Sequence, residues 1–596
     1  MSLLPVFVLQ FNMLIHIPVQ ENTVATQVND AVWEKFKTAL DKQNIDYSQL
    51  FLRSLPDPII IIPSQTLAQR MEHGLQALGF VEPSAKVLLW SNDETVQLVL
   101  TIEQEIQREP PQKRRKIKQA NFLSGPFVTN PPSSIGYVHV MRDVQKRRDE
   151  RIANDRPNID ADLPPISLMY HGFGQFLNCI HTDSTNLERV ANKPKFEMAI
   201  DKFICEMSIF YESESARQSK TLDCLNDIFE SYLGKQPYSL IIPSIITGQR
   251  STDGHAIGPI GTIEVGVQIK NELGTSSCDP SVEFAAYYTQ SLYAKALQDL
   301  EENFLFPALG IVVVGAHIGF YALTFTTTTR LVSLTPLLPM AIENGNRNAR
   351  QDLLKAFEAA CILRLHINQD TQNYKDNPQE CSLPGNFPYV NQVLAIPGPG
   401  MFNFQIDREA YQGEGGIRYL NRFIYMATAT DSEDKHKVIV KFTRRYFRDL
   451  HEFCAQEGHA PKLLGYGNAP DGWHVVVMEW IDNEESDLQP YSSKYLGTWS
   501  ADLRQLVNRF HEKGWVHGDL RDANLIISKT NPERIMLVDF DWGGDLNSGP
   551  VRYPTSLLNP ELAREMDPND LWITKERDKL VLEFALRKME GKEEVC

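Results

Sequence analysis

Cysteine is scarce in this 596-residue chain: eight residues, with no Cys-x-x-Cys pair among them. A disulfide scaffold needs a denser set, and a zinc ribbon or dithiol centre needs the paired spacing, so these classes are excluded. Sparse thiols fit a reducing intracellular compartment. The chain also has no uninterrupted apolar run of about 18 residues, the length a transmembrane helix needs, so no membrane partner is expected. The apolar opening Met1 to Val19 has no basic start and no small-x-small cleavage pattern, and Pro5, Asn12 and His16 interrupt it, so a strand or hairpin is expected rather than a signal peptide. Positive charge is in deficit, with 59 Lys and Arg against 76 Asp and Glu, a net charge of −17. Such a surface is a poor general-purpose binder of phosphate backbones, although a local basic groove stays open.

What is present is an ordinary globular composition: 42% hydrophobic, 10% aromatic and 23% charged residues. That rules out disorder throughout, and the length calls for several domains at roughly 100–200 residues each. Residues 1–105 read as a small α/β module. Leu14 to Val19 alternates like a strand, and Asn22 to Leu40 carries Val28, Val32, Phe36 and Leu40 at helical spacing. Pro58 to Pro63 and Lys86 to Trp90 are apolar runs of strand length. Residues 106–160 read as linker, marked by Pro110-Pro111 and Pro131-Pro132. Within them Lys113-Arg114-Arg115-Lys116-Ile117-Lys118 is basic at five of six positions; it reads either as a nuclear import signal or as a solvated linker. The localisation expected is therefore intracellular, cytoplasmic or nuclear. A unit over 161–370, a linker over 371–400 ending in Pro397-Gly398-Pro399-Gly400, and a last unit over 401–596 complete the division.

The most specific stretch is Val516-His517-Gly518-Asp519-Leu520-Arg521-Asp522-Ala523-Asn524, followed by Leu537-Val538-Asp539-Phe540-Asp541. Phosphoryl transfer needs an acid to orient the attacking hydroxyl and oxygen ligands to hold Mg²⁺ on the phosphates. Asp519 suits the first role, and Asn524 and Asp539 the second. Two short apolar strands flanking a tight turn would bring Asn524 and Asp539 together. Arg521 is placed to meet the γ-phosphate. Upstream, Lys437 to Phe442 has strand character and offers Lys441 as the phosphate-gripping lysine, with Asp449 or Glu452 of a following helix as its partner and Asp449 preferred. Val475 to Ile481, containing Met478-Glu479, reads as a hinge strand whose backbone would bond adenine.

This order resembles the protein-kinase-like superfamily. The resemblance implies ATP and Mg as cofactors and a protein substrate. Gly518 stands where many such kinases carry an arginine that reads a phosphorylated loop, and no Ala-Pro-Glu follows Asp539. Gly413-Glu414-Gly415-Gly416 lies near the place of a Gly-rich loop but lacks its spacing. His-Gly-Asp loops also resemble those of aminoglycoside and choline phosphotransferases, which leaves a small-molecule acceptor open.

In the middle unit, Asp253 precedes the strand-like Thr262 to Ile269, which leads into Gln268-Ile269-Lys270 and then a helix over Ser281 to Leu297; a helix with Glu212 and Glu214 lies ahead. The order resembles the PD-(D/E)xK restriction-endonuclease-like fold, whose chemistry uses carboxylates on a water-activating metal and a lysine beside the scissile phosphate. Gln268 and Lys270 share a strand face. Glu264 is a substitute acid, though it lies about 13 Å along the strand. The words Pro165 to Gly174, Lys270 to Gly274 and Cys278-Asp279-Pro280 resemble fungal Crinkler-type proteins, in which an endonuclease-like domain precedes a kinase-like one. That resemblance implies Glu214 and Asp253 as metal acids, Gln268 in the place of the usual third acid, Lys270 as catalytic lysine, and DNA as a partner of residues 161–370.

The fold class expected is multi-domain α/β and α+β: a restriction-endonuclease-like α/β domain plus a compact two-lobed protein-kinase-like domain. The leading function is ATP- and Mg-dependent phosphotransfer to Ser/Thr hydroxyls or to itself. Its rivals are a non-catalytic effector binding nuclear partners and a metal-dependent DNase.

Overall fold

The computed structural model describes residues 2–8, 13–19, 50–60, 79–80, 95–102, 131–146, 151–152, 163–181, 193–234, 238–247, 250–274, 278–295, 304–326, 328–341, 347–377, 387–408, 423–430, 436–481, 489–528, 531–554, 562 and 571–590. The chain divides into two compact units, Met1–Pro110 and Pro111–Cys596. The first carries a five-stranded sheet of β1 (Ser2–Val8), β2 (Met13–Val19), β3 (Leu50–Ile60), β4 (Gly79–Phe80) and β5 (Thr95–Ile102), ordered β2-β1-β5-β3-β4. The Leu14 to Val19 strand falls in β2. The expected helix Asn22 to Leu40, the run Lys86 to Trp90 and the basic run Lys113 to Lys118 lie outside the described residues.

In the second unit, two elements fall inside the segment expected as linker. α1 (Pro132–Ile135) and α2 (Val138–Gln145) bring Ile135 and Val144 into a core with Phe284 and Tyr288. Pro132 was read as a breaker, but a proline at the first helical position costs no backbone bond and starts the helix.

A mixed sheet follows, built of β8 (Gly254–Ile257), β9 (Ile263–Lys270), β10 (Ala308–Val314), β11 (His317–Phe325) and β12 (Thr329–Ser333), after a small ladder of β6 (Ile245–Thr247) and β7 (Arg250–Ser251). β13 (Leu338–Pro339) pairs with β11. β9 and β10 are parallel, and β9 is buried at every position, as a strand covered on both faces must be. One face packs on α3 (Ile166–Met169), α4 (His171–His181), α5 (Lys193–Met207), α6 (Glu214–Leu233) and α8 (Arg347–Asp376); the other packs on α7 (Pro280–Lys295). Gly266 is required there: a Cβ would lie 1.8 Å from the Phe284 ring.

α8 runs through the expected domain end at residue 370, and the expected linker 371–400 contains a strand. β14 (Gln392–Ala395) joins β15 (Met401–Ile406), β16 (Ile424–Ala429), β17 (Lys437–Thr443), β18 (Leu463–Ala469) and β19 (Trp473–Glu479) in a closed barrel ordered β14-β15-β16-β17-β19-β18. Pro397 to Gly400, read as linker, is the β14–β15 turn, closed by the Ala395 N–H on the Gly400 carbonyl at 2.8 Å.

The barrel is seated on the preceding sheet unit through α3. Leu168 is fully buried among Tyr425, Val440 and Val475, the Leu168 carbonyl accepts the Tyr389 N–H at 2.9 Å, and the Trp473 indole donates to the Ser167 hydroxyl at 3.1 Å. The Pro165 to Gly174 word thus marks a docking element.

The helical part comprises α9 (Arg448–Gln456), α10 (Gln489–Glu512), β20 (Trp515–Val516), β21 (Leu525–Ser528), β22 (Asn531–Leu537), β23 (Gly544–Asp545), β24 (Val551–Arg552), β25 (Trp572–Ile573) and α11 (Lys575–Met589) around Trp499, Phe510, Leu520 and Leu582. Among the described residues no helix is long and apolar enough to cross a membrane.

Candidate active site

The His-Gly-Asp loop is held from the C-terminal helix. Asp578 in the first turn of α11 is 1% exposed and accepts the backbone N–H groups of His517 and Gly518. Gly518 has φ +84°, and a Cβ there would meet Trp542 and Ile573. Glycine is therefore required by the turn itself, since other residues enter this region only under strain. Its carbonyl accepts the Tyr553 hydroxyl at 2.9 Å. His517 is fully buried and accepts the Asp519 N–H through Nδ1 at 3.2 Å. Burial lowers the His517 pKa, which favours the neutral ring.

Asp519 is 5% exposed and receives a bidentate grip from Arg521, Nε to Oδ1 at 2.6 Å and Nη2 to Oδ2 at 2.8 Å. Arg521, expected to meet the γ-phosphate, spends its fork on the Asp519 carboxylate here and fixes its orientation. The β21–β22 hairpin pairs Leu525 with Leu537, which sets Asn524 across from Val538, the residue before Asp539. The Val538 N–H bonds the Asn524 carbonyl at 2.9 Å, and the Asn524 amide donates to the Asp519 carbonyl at 3.0 Å. Asp539 has φ +69°, an uncommon conformation for a non-glycine residue that re-aims its carboxylate. Asn524 and Asp539 together offer the hard oxygen donors that Mg²⁺ prefers.

Lys441 on β17 meets this loop. Its amine lies 2.6 Å from Asp539 Oδ1 and 2.7 Å from Asp541 Oδ1. Burial opposes its charge, but the two carboxylates outweigh burial and its pKa is raised. Burial raises the Asp541 carboxyl against the pull of Lys441. The expected partner Asp449 is exposed, and Glu452 pairs with Arg448 at 2.6 Å, so neither acid of α9 holds Lys441. α9 instead supplies His451, whose ring stacks on Phe540 at 4.6 Å and bonds Tyr446 and the Pro461 carbonyl. Asp541 and Asp578 went unread in the sequence. For Asp541 the signal was an acid two residues after Asp539; for Asp578 no local pattern exists.

Glu479 ends β19. Its N–H donates to the Lys462 carbonyl at 2.9 Å and is engaged within the protein. The Gly413 to Gly416 segment lies outside the described residues.

In the middle unit the structure brings Lys270, Glu214, Asp253 and Gln268 near one end of β9. Lys270 lies 3.1 Å from Glu283 of α7 and 3.9 Å from Glu214 at the start of α6, where Ser213 caps the helix. Glu283 was not singled out in the sequence. Asp253 accepts the Ile269 N–H at 2.8 Å, and burial raises its pKa to about 6. Gln268 is 2% exposed and its Oε1 has no hydrogen-bond partner among the described residues. Glu264 is unavailable as a substitute acid: it is buried against Arg364 and Asn368 at 2.9 to 3.0 Å. Among the described residues no three His, Cys, Asp or Glu side chains converge as a metal site.

The chain shares 33% identity over 73 residues with the serine/threonine-protein kinase 1 of African swine fever virus, in three of its isolates and strains. The match covers 11% of this chain and 24% of each viral kinase, so the chain spans about a quarter of the length of the curated relatives it matches. Among solved structures, the Cydia pomonella granulovirus kinase PK-1 is similar at 15% identity over 32% of this chain and 69% of that one, with a TM-score of 0.24. No family model matches the chain. The homology to viral kinases, though weak, supports a kinase-like domain in a mixed α/β multi-domain protein. It carries nothing on an endonuclease-like unit, a Crinkler-type assignment or a fungal origin.

Proposed function

We propose that the C-terminal part of the chain is an ATP- and Mg-dependent phosphotransferase acting on Ser/Thr hydroxyls of a protein substrate or of itself. One observation carries this reading: Lys441 of the barrel meets the loop and hairpin of Asp519, Asn524 and Asp539 through the Lys441–Asp539 ion pair, the Val538–Asn524 backbone bond and the Asn524–Asp519 bond. Asp519, oriented by Arg521, orients the acceptor hydroxyl and takes its proton. Lys441 binds the phosphates. Asn524 and Asp539 would hold Mg²⁺, which neutralises charge on the transferring group. Autophosphorylation with radiolabelled ATP tests the reading: wild type incorporates label and Asp519→Asn does not. A wild type without incorporation or ATP turnover favours the non-catalytic effector.

A second reading concerns residues 161–370. A buried lysine beside two glutamates, a raised Asp253 and an unpartnered Gln268 oxygen support a restriction-endonuclease-like site, with DNA as substrate. Mg²⁺ is commonly held by one or two carboxylates plus water, which two acids and an amide oxygen would allow. Plasmid nicking with and without Mg²⁺ tests it. The Crinkler-type order of nuclease-like and kinase-like units belongs to this reading.

A further inference from the structure

We infer that Asp541 is the residue that positions Lys441 for nucleotide, in the role expected of a carboxylate on helix α9. The inference rests on Lys441 being the phosphate-binding lysine. The Lys441 side chain is 6% exposed, and an amine so buried needs an ionised partner. Asp539 is one partner, but a metal-bound nucleotide draws that carboxylate toward the metal. Asp541, 2.7 Å from the amine, then remains as the group that fixes it. α9 contributes no acid, because Asp449 is exposed and Glu452 is engaged by Arg448.

The loop is built for this arrangement. Phe540, between the two aspartates, is 1% exposed and lies against His451 and His517 at 4.6 and 5.1 Å. With the ring wedged between α9 and the His-Gly-Asp loop, both flanking carboxylates point to Lys441. The metal-binding loop therefore aligns the lysine by itself, and α9 acts only by seating Phe540. A helix that carries no partner for the lysine cannot switch the site by swinging that partner in and out.

The test is nucleotide affinity of the full chain, read by titration of a fluorescent ATP analogue with Mg²⁺ and in EDTA. Asp541→Asn is expected to weaken binding about tenfold with Mg²⁺ and by less in EDTA, where Asp539 still holds the amine. Asp541→Glu restores most of it, and Asp449→Asn leaves it unchanged. Asp541→Asn placed on a Lys441→Met background is expected to cost nothing further, since the residue acts through the amine. An undiminished loss on the Lys441→Met background would overturn the inference, in favour of a metal ligand where that loss is confined to the Mg²⁺ titration and of a structural role where it is not. Wild-type protein that binds no nucleotide would instead remove the phosphotransferase reading beneath it. Melting temperatures of all variants separate these results from misfolding.

Discussion

Asp578 accepts the N–H of His517 at 2.7 Å and that of Gly518 at 2.8 Å, tying the His-Gly-Asp loop to a helix sixty residues further on. Each is a charge-assisted bond to a buried backbone donor, worth roughly 1.5–3 kcal/mol. Asp578→Ala leaves both donors without a partner in the interior. The expected loss is about 3 kcal/mol or more of stability in denaturant titration, with ATP turnover falling further than ATP affinity because Asp519, the residue after Gly518, loses its aim. Unchanged stability would show that the loop holds its shape alone.

The proposed function gives Asp519 and Asp539 separate duties, so their variants should separate. Asp539→Ala is expected to remove the gain in ATP affinity that Mg²⁺ brings. Asp519→Ala is expected to leave ATP affinity within about threefold and to lower turnover by about 100-fold or more, the usual weight of general-base assistance. Equal loss of affinity in both variants would defeat the assignment.

His451 makes the kinase-like region sensitive to acid. Burial lowers its pKa to about 4, while the unfolded ring protonates near 6.5. Below about pH 6.5 the unfolded state binds the extra proton, so stability falls as pH falls and the loss is complete near pH 4, reaching roughly 3 kcal/mol. His451→Gln is expected to flatten this part of the pH–stability curve. A curve with the same slope in wild type and variant would place the acid sensitivity elsewhere.

The docking helix α3 gives a prediction across the sequence. Leu168 has no exposure and lies in the barrel core. Leu168→Ala is expected to cost about 2–5 kcal/mol and to lower the temperature at which the barrel melts, read by Trp473 fluorescence. If Trp473 melts unchanged, the barrel does not depend on α3.

Which of these features the sequence displayed follows from how local their causes are. Asp519, Asn524 and Asp539 stand on one loop and one hairpin, so their spacing was readable. Asp541 meets Lys441 across a hundred residues, Asp578 meets His517 across sixty-one, and Glu283 reaches Lys270 from the next helix; each contact is made by tertiary packing, which no local period records. The proline and glycine segments misled for a related reason. Pro132 starts a helix and Pro397 to Gly400 turns a hairpin, and both break local periodicity as a linker does.

Gln268→Glu tests the middle site. The side chain is 2% exposed, and its Oε1 meets no donor among the described residues. A carboxylate placed there has Lys270 two residues along the same strand face, but that amine already answers Glu283 and Glu214. Without metal the added charge is buried and poorly paired, a cost of several kcal/mol, roughly, so the variant should melt below wild type in EDTA. Mg²⁺ changes the balance if Asp253 and residue 268 face one cation, because the new ligand is a hard anionic oxygen. The expected outcome is a variant whose melting temperature recovers with millimolar Mg²⁺ and whose plasmid nicking exceeds that of wild type. A variant that melts low in both conditions would show a dry structural residue at this position and would remove the endonuclease reading.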